Sequence, residues 1–64
     1  MPHYEITYAC ADDDWLGWRV ECRDFHEAAR AAFSRLDMSQ DYPGHKLNNA
    51  RLLRVERLPD PTPV

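Results

Sequence analysis

The chain predicts a small α+β domain, ββαβ in order. Three antiparallel strands arranged 2-1-3 form the sheet, and one helix covers one of its faces. Three observations predict this. Apolar residues alternate with polar ones over residues 3–10 and again over 15–23, the period of a half-buried strand. Asp24 followed by Glu27 opens a stretch whose apolar residues recur at three- and four-residue steps, the period of a helix. A third apolar-rich run, 50–58, precedes Pro59, Pro61 and Pro63, which cannot continue a central strand. Residues 1–58 make the domain and 59–64 an extended proline-rich tail.

In the first strand Tyr4, Ile6, Tyr8 and Cys10 share one face, with His3, Glu5, Thr7 and Ala9 on the other. In the second, Leu16, Trp18, Val20 and Cys22 point inward; Gly17, Arg19, Glu21 and Arg23 point outward. Only a short acidic segment separates the two, so they form a hairpin. Pairing Cys10 with Leu16, Tyr8 with Trp18, Ile6 with Val20 and Tyr4 with Cys22 sets every inward residue against an inward one, as one buried face requires. That register puts Glu5 opposite Glu21 and leaves Cys10 and Cys22 roughly 20 Å apart along the strands, beyond the reach of a disulfide. Two buried thiols are expected.

Asp24 caps the helix, with Glu27 completing a capping box. Phe25, Ala28, Ala29, Ala32, Phe33 and Leu36 form its apolar stripe, His26, Arg30, Ser34 and Arg35 face water, and the helix ends near Asp37 or Met38. Residues 39–49 are a polar loop, with Tyr42 as its anchor on the core and Pro43-Gly44 as a turn of the second type. The third strand follows, Leu53 and Val55 inward, Arg54 and Glu56 outward, Leu52 and Leu58 on the open face. A right-handed crossover carries it to the far side of the first strand.

Size and composition narrow the function. A chain of 64 residues buries only about 60% of its unfolded surface and is marginal without a partner, a metal or disulfides. No basic segment precedes an apolar run at the start, so no secretory leader is expected, and no apolar stretch is long enough for a membrane span. A reduced, cytoplasmic protein is the expectation. The net charge of −3 is uneven. Residues 1–29 carry seven acids against Arg19 and Arg23, a net of −5; residues 30–64 carry four acids against six bases, a net of +2. One acidic and one mildly basic surface follow.

The candidate contact residues are acidic. Asp12, Asp13 and Asp14 stand together at the hairpin tip. A solvated turn favours Asp, but three adjacent carboxylates repel one another and a turn needs only one. An acidic prong facing a basic partner is the sharper reading. Calcium suits oxygen ligands, but the loop lacks the distal Glu and the Gly of such sites. Glu5 and Glu21 extend the acidic surface along the open face unless arginines neutralise them. Asp24 and Glu27 add to it. Trp15 has outward parity beside the tip; turned inward it is core, exposed it anchors an interface. His3, His26, His45, Cys10 and Cys22 show no paired ligand spacing. No nucleophile–base pairing and no glycine-rich phosphate loop occur. No catalysis, no cofactor and no metal are expected. Direct nucleic-acid binding is disfavoured, because Tyr4, Tyr8 and Trp18 point toward the helix and a net-negative chain lacks a basic footprint.

The arrangement resembles a ferredoxin-like fold without its second helix and last strand. In size, charge and architecture, over about residues 3–58 and with Ala11-Asp12-Asp13-Asp14-Trp15 as the most suggestive segment, the chain resembles the small phage-encoded anti-CRISPR proteins, among them those acting on the type I-C surveillance complex. The resemblance implies a monomeric, non-enzymatic inhibitor in the cytoplasm of an infected bacterium. It would bind a CRISPR effector subunit and block target recognition, its carboxylates standing in for DNA phosphates. Duplex DNA carries about one charge per 1.7 Å of axis, and consecutive carboxylates on Cα atoms about 3.8 Å apart offer a comparable local density. The eight basic residues depart from the purest mimics. The alternative is a general protein-interaction module, an antitoxin or phage accessory protein, using the open sheet face and an edge, as a homodimer.

Overall fold

The computed structural model describes residues 1–59; of the proline-rich tail, residues 60–64 lie outside the described residues. Strands β1 (His3–Ala9), β2 (Trp15–Glu21) and β3 (Arg51–Arg57) form one antiparallel sheet in the order β2-β1-β3, with helix α1 (Phe25–Ser39) between β2 and β3 in sequence. The predicted layout and strand order hold. Among the described residues no helix is long and apolar enough to cross a membrane.

The inward parity of β1 and β2 also holds, but the hairpin register is two residues tighter. Tyr8 pairs with Leu16, Ile6 with Trp18 and Tyr4 with Val20. The turn explains the shift. The Cys10 amide donates to the Asp14 carbonyl at 2.7 Å, the Asp13 amide donates back to the Cys10 carbonyl at 3.2 Å, and Asp13 takes a positive φ of 62°. This is a three-residue hairpin loop ending in a left-handed residue, a conformation Asp tolerates better than most. A two-residue slip preserves every face, so parity alone could not detect it.

The slip reassigns the charges. Glu5 does not face Glu21; it faces Arg19, whose Nε donates to it at 3.1 Å, and Glu21 faces His3 at 2.8 Å. Opposite charges directly across a ladder stabilise it where like charges would not. On the other side Glu5 faces Glu56, which is paired with Arg54 at 3.0 Å.

In β3 an extra residue breaks the alternation. Thr7 pairs with Arg54 but Tyr8 with Leu52, so Leu53 is the bulge residue. Leu52 therefore packs on the core beside Val55, and Leu53 is 43% exposed, the reverse of the simple period-two expectation. Leu58 keeps its predicted place on the open face, flanking a hollow with His3 and Arg19.

The core lies between sheet and helix. Tyr4, Ile6, Tyr8, Cys10, Cys22, Ala28, Ala32 and Leu47 are buried. Asp24 caps the helix as predicted, accepting from the Glu27 amide at 2.8 Å, but the Glu27 carboxylate turns to Arg23 at 3.0 Å instead of completing the box. The buried line is Ala28, Ala32 and Ser39, with Leu36 packed beside it. Small side chains let the helix come close enough for the Tyr8 hydroxyl to donate to the Ala32 carbonyl at 2.8 Å. Phe33, about 100° around the helix from Ala32, sits on the rim and is largely exposed, as is Phe25, whose ring meets Tyr4 edge-on at 6.3 Å. Arg35 is half-buried with its guanidinium 4.5 Å over the Trp18 ring, a cation–π contact.

The loop between α1 and β3 is anchored by Leu47, fully buried, and not by Tyr42, which is largely exposed. Its polar groups tie it to the helix end. The Gln40 side chain donates to the Leu36 and Leu47 carbonyls and accepts from the Asn49 amide; the Asn48 side chain donates to the Ser39 and Gln40 carbonyls. The Leu36 and Ser39 carbonyls belong to the last turn, which leaves its carbonyls free to accept from outside the helix. Pro43-Gly44 is a turn closed by His45 to Tyr42 at 2.9 Å, but Gly44 has no positive φ, so it is not of the second type; Asn49 takes the left-handed conformation instead.

Candidate partner-binding surface

The hairpin turn and the loop after α1 build the tip together. Each of its three aspartates has a role in the turn. Asp13 supplies the left-handed residue. Asp12 accepts weakly from the Asp14 amide at 3.4 Å, the self-bonding habit that favours Asp in turns. Asp14 accepts from the Trp15 amide at 2.9 Å and from Lys46 Nζ at 2.6 Å, and Lys46 lies 3.6 Å from Asp12. The acidic run therefore does contribute to the turn, contrary to the bare reading of its charge. The hydrogen bond from Lys46 holds the Asp14 carboxyl below its ordinary pKa, helped by the Trp15 amide, and the same bond raises the Lys46 ammonium.

These pairs are exposed, and exposed ion pairs contribute little net stability, so a partner's guanidinium could take their place at small cost. Three carboxylates against one ammonium leave the tip net negative, and Asp13 has no cationic partner among the described residues. Beside the tip Trp15 is 71% exposed. Its parity is outward, and its ladder neighbour on β1 is Ala9, too small to cover an indole. The inward alternative for Trp15 is excluded.

The other predicted contact residues do not join this cluster. Glu5 lies mid-sheet on the open face, neutralised by Arg19. Glu21 is at the far end of β2, bonded to His3, which lowers its pKa. Asp24 and Glu27 begin the helix beyond that end, and six residue steps along β2 put them roughly 20 Å from the tip. The structure thus brings together Asp12, Asp13, Asp14 and Trp15, and it separates them from Glu21, Asp24 and Glu27. Comparison with protein-family models, curated proteins and solved structures found no match.

Sequence reasoning missed Lys46, 32 positions from Asp14, because no local pattern links them; that it is the chain's one lysine was the available signal. It also missed a second surface. Between α1 and β2 lies an open groove of about 490 Å³ lined by Trp18, Ala31, Arg35, Met38 and Tyr42. The inward residues of β2 (Leu16, Trp18 and Val20) are only half-buried, whereas those of β1 are fully buried. The helix packs over β1 and β3 and leaves β2 partly uncovered. Cys10 and Cys22 are both free and buried, in separate clusters. Burial raises the Cys22 thiol, with Glu27 and Asp24 adding to the effect, so it is a poor nucleophile. Among the described residues no group of three or more His, Cys, Asp and Glu converges on a metal-sized site.

Proposed function

We propose that this chain is a non-enzymatic binding protein whose hairpin tip engages a basic, nucleic-acid-handling partner. In its most specific form the partner is a subunit of a bacterial CRISPR surveillance complex, near the site that holds target DNA. The observation that carries the reading is the exposed indole of Trp15 adjoining the exposed carboxylates of Asp12, Asp13 and Asp14. An exposed indole is a common anchor of protein contacts, and carboxylates beside it select a basic partner. The contact is confined to one end of the molecule, which suits insertion between basic residues better than replacement of a long stretch of duplex. Glu5, Glu21, Asp24 and Glu27 are then a supporting field and not contact groups.

Co-purification from a bacterial lysate containing a type I-C complex tests this. Tagged protein should retain the complex at low salt and release it as salt rises. Asp12→Asn with Asp13→Asn should abolish retention while the circular dichroism spectrum stays unchanged, since Asn also tolerates the left-handed turn position. Retention that ignores both salt and the double substitution would refute the tip as the contact. The exposed Phe33, Met38 and Tyr42 favour a second reading, an interaction module that binds through apolar surface; salt-resistant capture of another protein would favour it.

A further inference from the structure

The two free edges of the sheet differ in kind. The β3 edge carries the devices that keep a strand from pairing with another chain: a bulge at Leu53, exposed Arg51, Arg54 and Arg57, and Pro59 just past its end. The β2 edge carries no proline and no bulge, and Gly17 stands next to its central Trp18 with open space about it. Hydrogen bonds at both ends of the hairpin, Cys10 to Asp14 and Cys22 to Pro2, fix which backbone groups are free. The even-numbered residues of β2 bond to β1, so the N–H and C=O groups of Trp15, Gly17, Arg19 and Glu21 point outward from the sheet. The partly uncovered apolar face of Leu16, Trp18 and Val20 adjoins that same edge.

We infer that β2 pairs with β2 of a second copy of this chain, antiparallel and centred on Trp18, to give a continuous six-stranded sheet with a helix on each half. This goes beyond the tip reading and does not depend on it. The strand is self-complementary in this register. Trp18 meets its counterpart, Leu16 meets Val20 of the second copy, and all seven residues of the strand are used. On the outer face Arg19 meets Gly17, and Glu21 meets Trp15, so no like charges stand opposite one another. Two residues past the strand ends Asp13, which has no cationic partner among the described residues, comes level with the exposed Arg23 of the second copy. The next pair, Asp12 and Asp24, lies farther from the sheet, deeper in the turn and in the helix cap. Neighbouring symmetric registers are worse. Centring on Arg19 opposes that residue to itself, centring on Gly17 opposes Glu21 to Asp13, and each uses only five residues. A two-fold strand pairing of this kind closes on itself and leaves the protected β3 edges outermost.

Opposite charges placed at Gly17 provide the test, because that position faces Arg19 of the second copy twice by symmetry. A side chain there meets nothing within 4 Å and needs no positive φ, so Gly17→Lys and Gly17→Glu both leave the monomer folded. Sedimentation equilibrium over a concentration series should show a dimer for the unaltered chain. Gly17→Lys should dissociate it several-fold more readily and Gly17→Glu several-fold less. In amide exchange, Gly17 and Arg19 should become protected as concentration rises, while Trp18 is protected throughout. A monomer at every concentration with Gly17 and Arg19 exchanging freely would overturn the inference. So would a shift of both variants in the same direction, or protection of those amides only after another protein is added.

Discussion

Replacing Leu47 with alanine separates the observed packing from the pattern-based expectation that Tyr42 anchors the loop. Leu47 is fully buried against Ile6, Tyr8, Cys10 and Ala32 and sits one residue from Lys46, whose ammonium holds the tip. Truncating a buried leucine removes its transfer free energy and leaves a cavity, together about 2–5 kcal/mol. A domain of this length has in total on the order of 3–10 kcal/mol, so the loss takes a large share. At about 4–8 °C per kcal/mol for a domain this small, the melting midpoint should fall by at least about 8 °C. Urea unfolding followed by tryptophan fluorescence gives the free-energy loss and a thermal scan gives the melting midpoint, and Tyr42→Ala is the control. Its largely exposed side chain should cost no more than about 0.5 kcal/mol. A Leu47→Ala cost under about 1 kcal/mol, or a larger cost at Tyr42, would refute the assignment of the anchor.

Removing the helix cap with Asp24→Ala should cost about 1 kcal/mol, read as a lower urea midpoint with an unchanged slope. The tip contact should be acid-sensitive. The Asp14 carboxyl titrates lower folded than unfolded, so its stabilisation is complete above the unfolded value of about 4 and is lost as pH falls through the folded one; an NMR titration of Lys46 Nζ and Asp14 should show them parting only below that range. Both thiols should resist a disulfide-exchange reagent until the chain unfolds, and a reductant should leave the melting temperature unchanged. Fast labelling of either Cys10 or Cys22 in the native state would contradict their burial.

The fold was legible because faces repeat with the period of the element. Tyr4, Ile6 and Tyr8, Leu16, Trp18 and Val20, and the Asp24 cap each declare themselves within a few residues. What was not legible depends on contacts between distant segments or on a single residue's backbone. The hairpin slid by two because Asp13 could take the left-handed conformation, and no face pattern changes with such a slide. The pairing of Glu5 with Arg19 and Glu21 with His3 was the better clue, since it resolves charges that the wider register sets against one another. Leu53 exchanged places with Leu52 because one bulge reverses parity for everything before it. Phe33 fell on the rim because alanines, not aromatics, set the helix-to-sheet distance. At the tip Asp12 to Trp15 stand together and exposed, as their adjacency in the sequence implies, but no local pattern could show that Lys46 already engages two of the carboxylates.

Competition for target DNA tests the central claim most directly. The protein is titrated into a purified type I-C surveillance complex before a labelled target duplex is added, and bound duplex is read by gel shift at low and moderate salt. The expected result is displacement of the duplex that weakens as salt rises and disappears with Asp12→Asn plus Asp13→Asn. Undiminished duplex binding at every concentration of folded protein would contradict it.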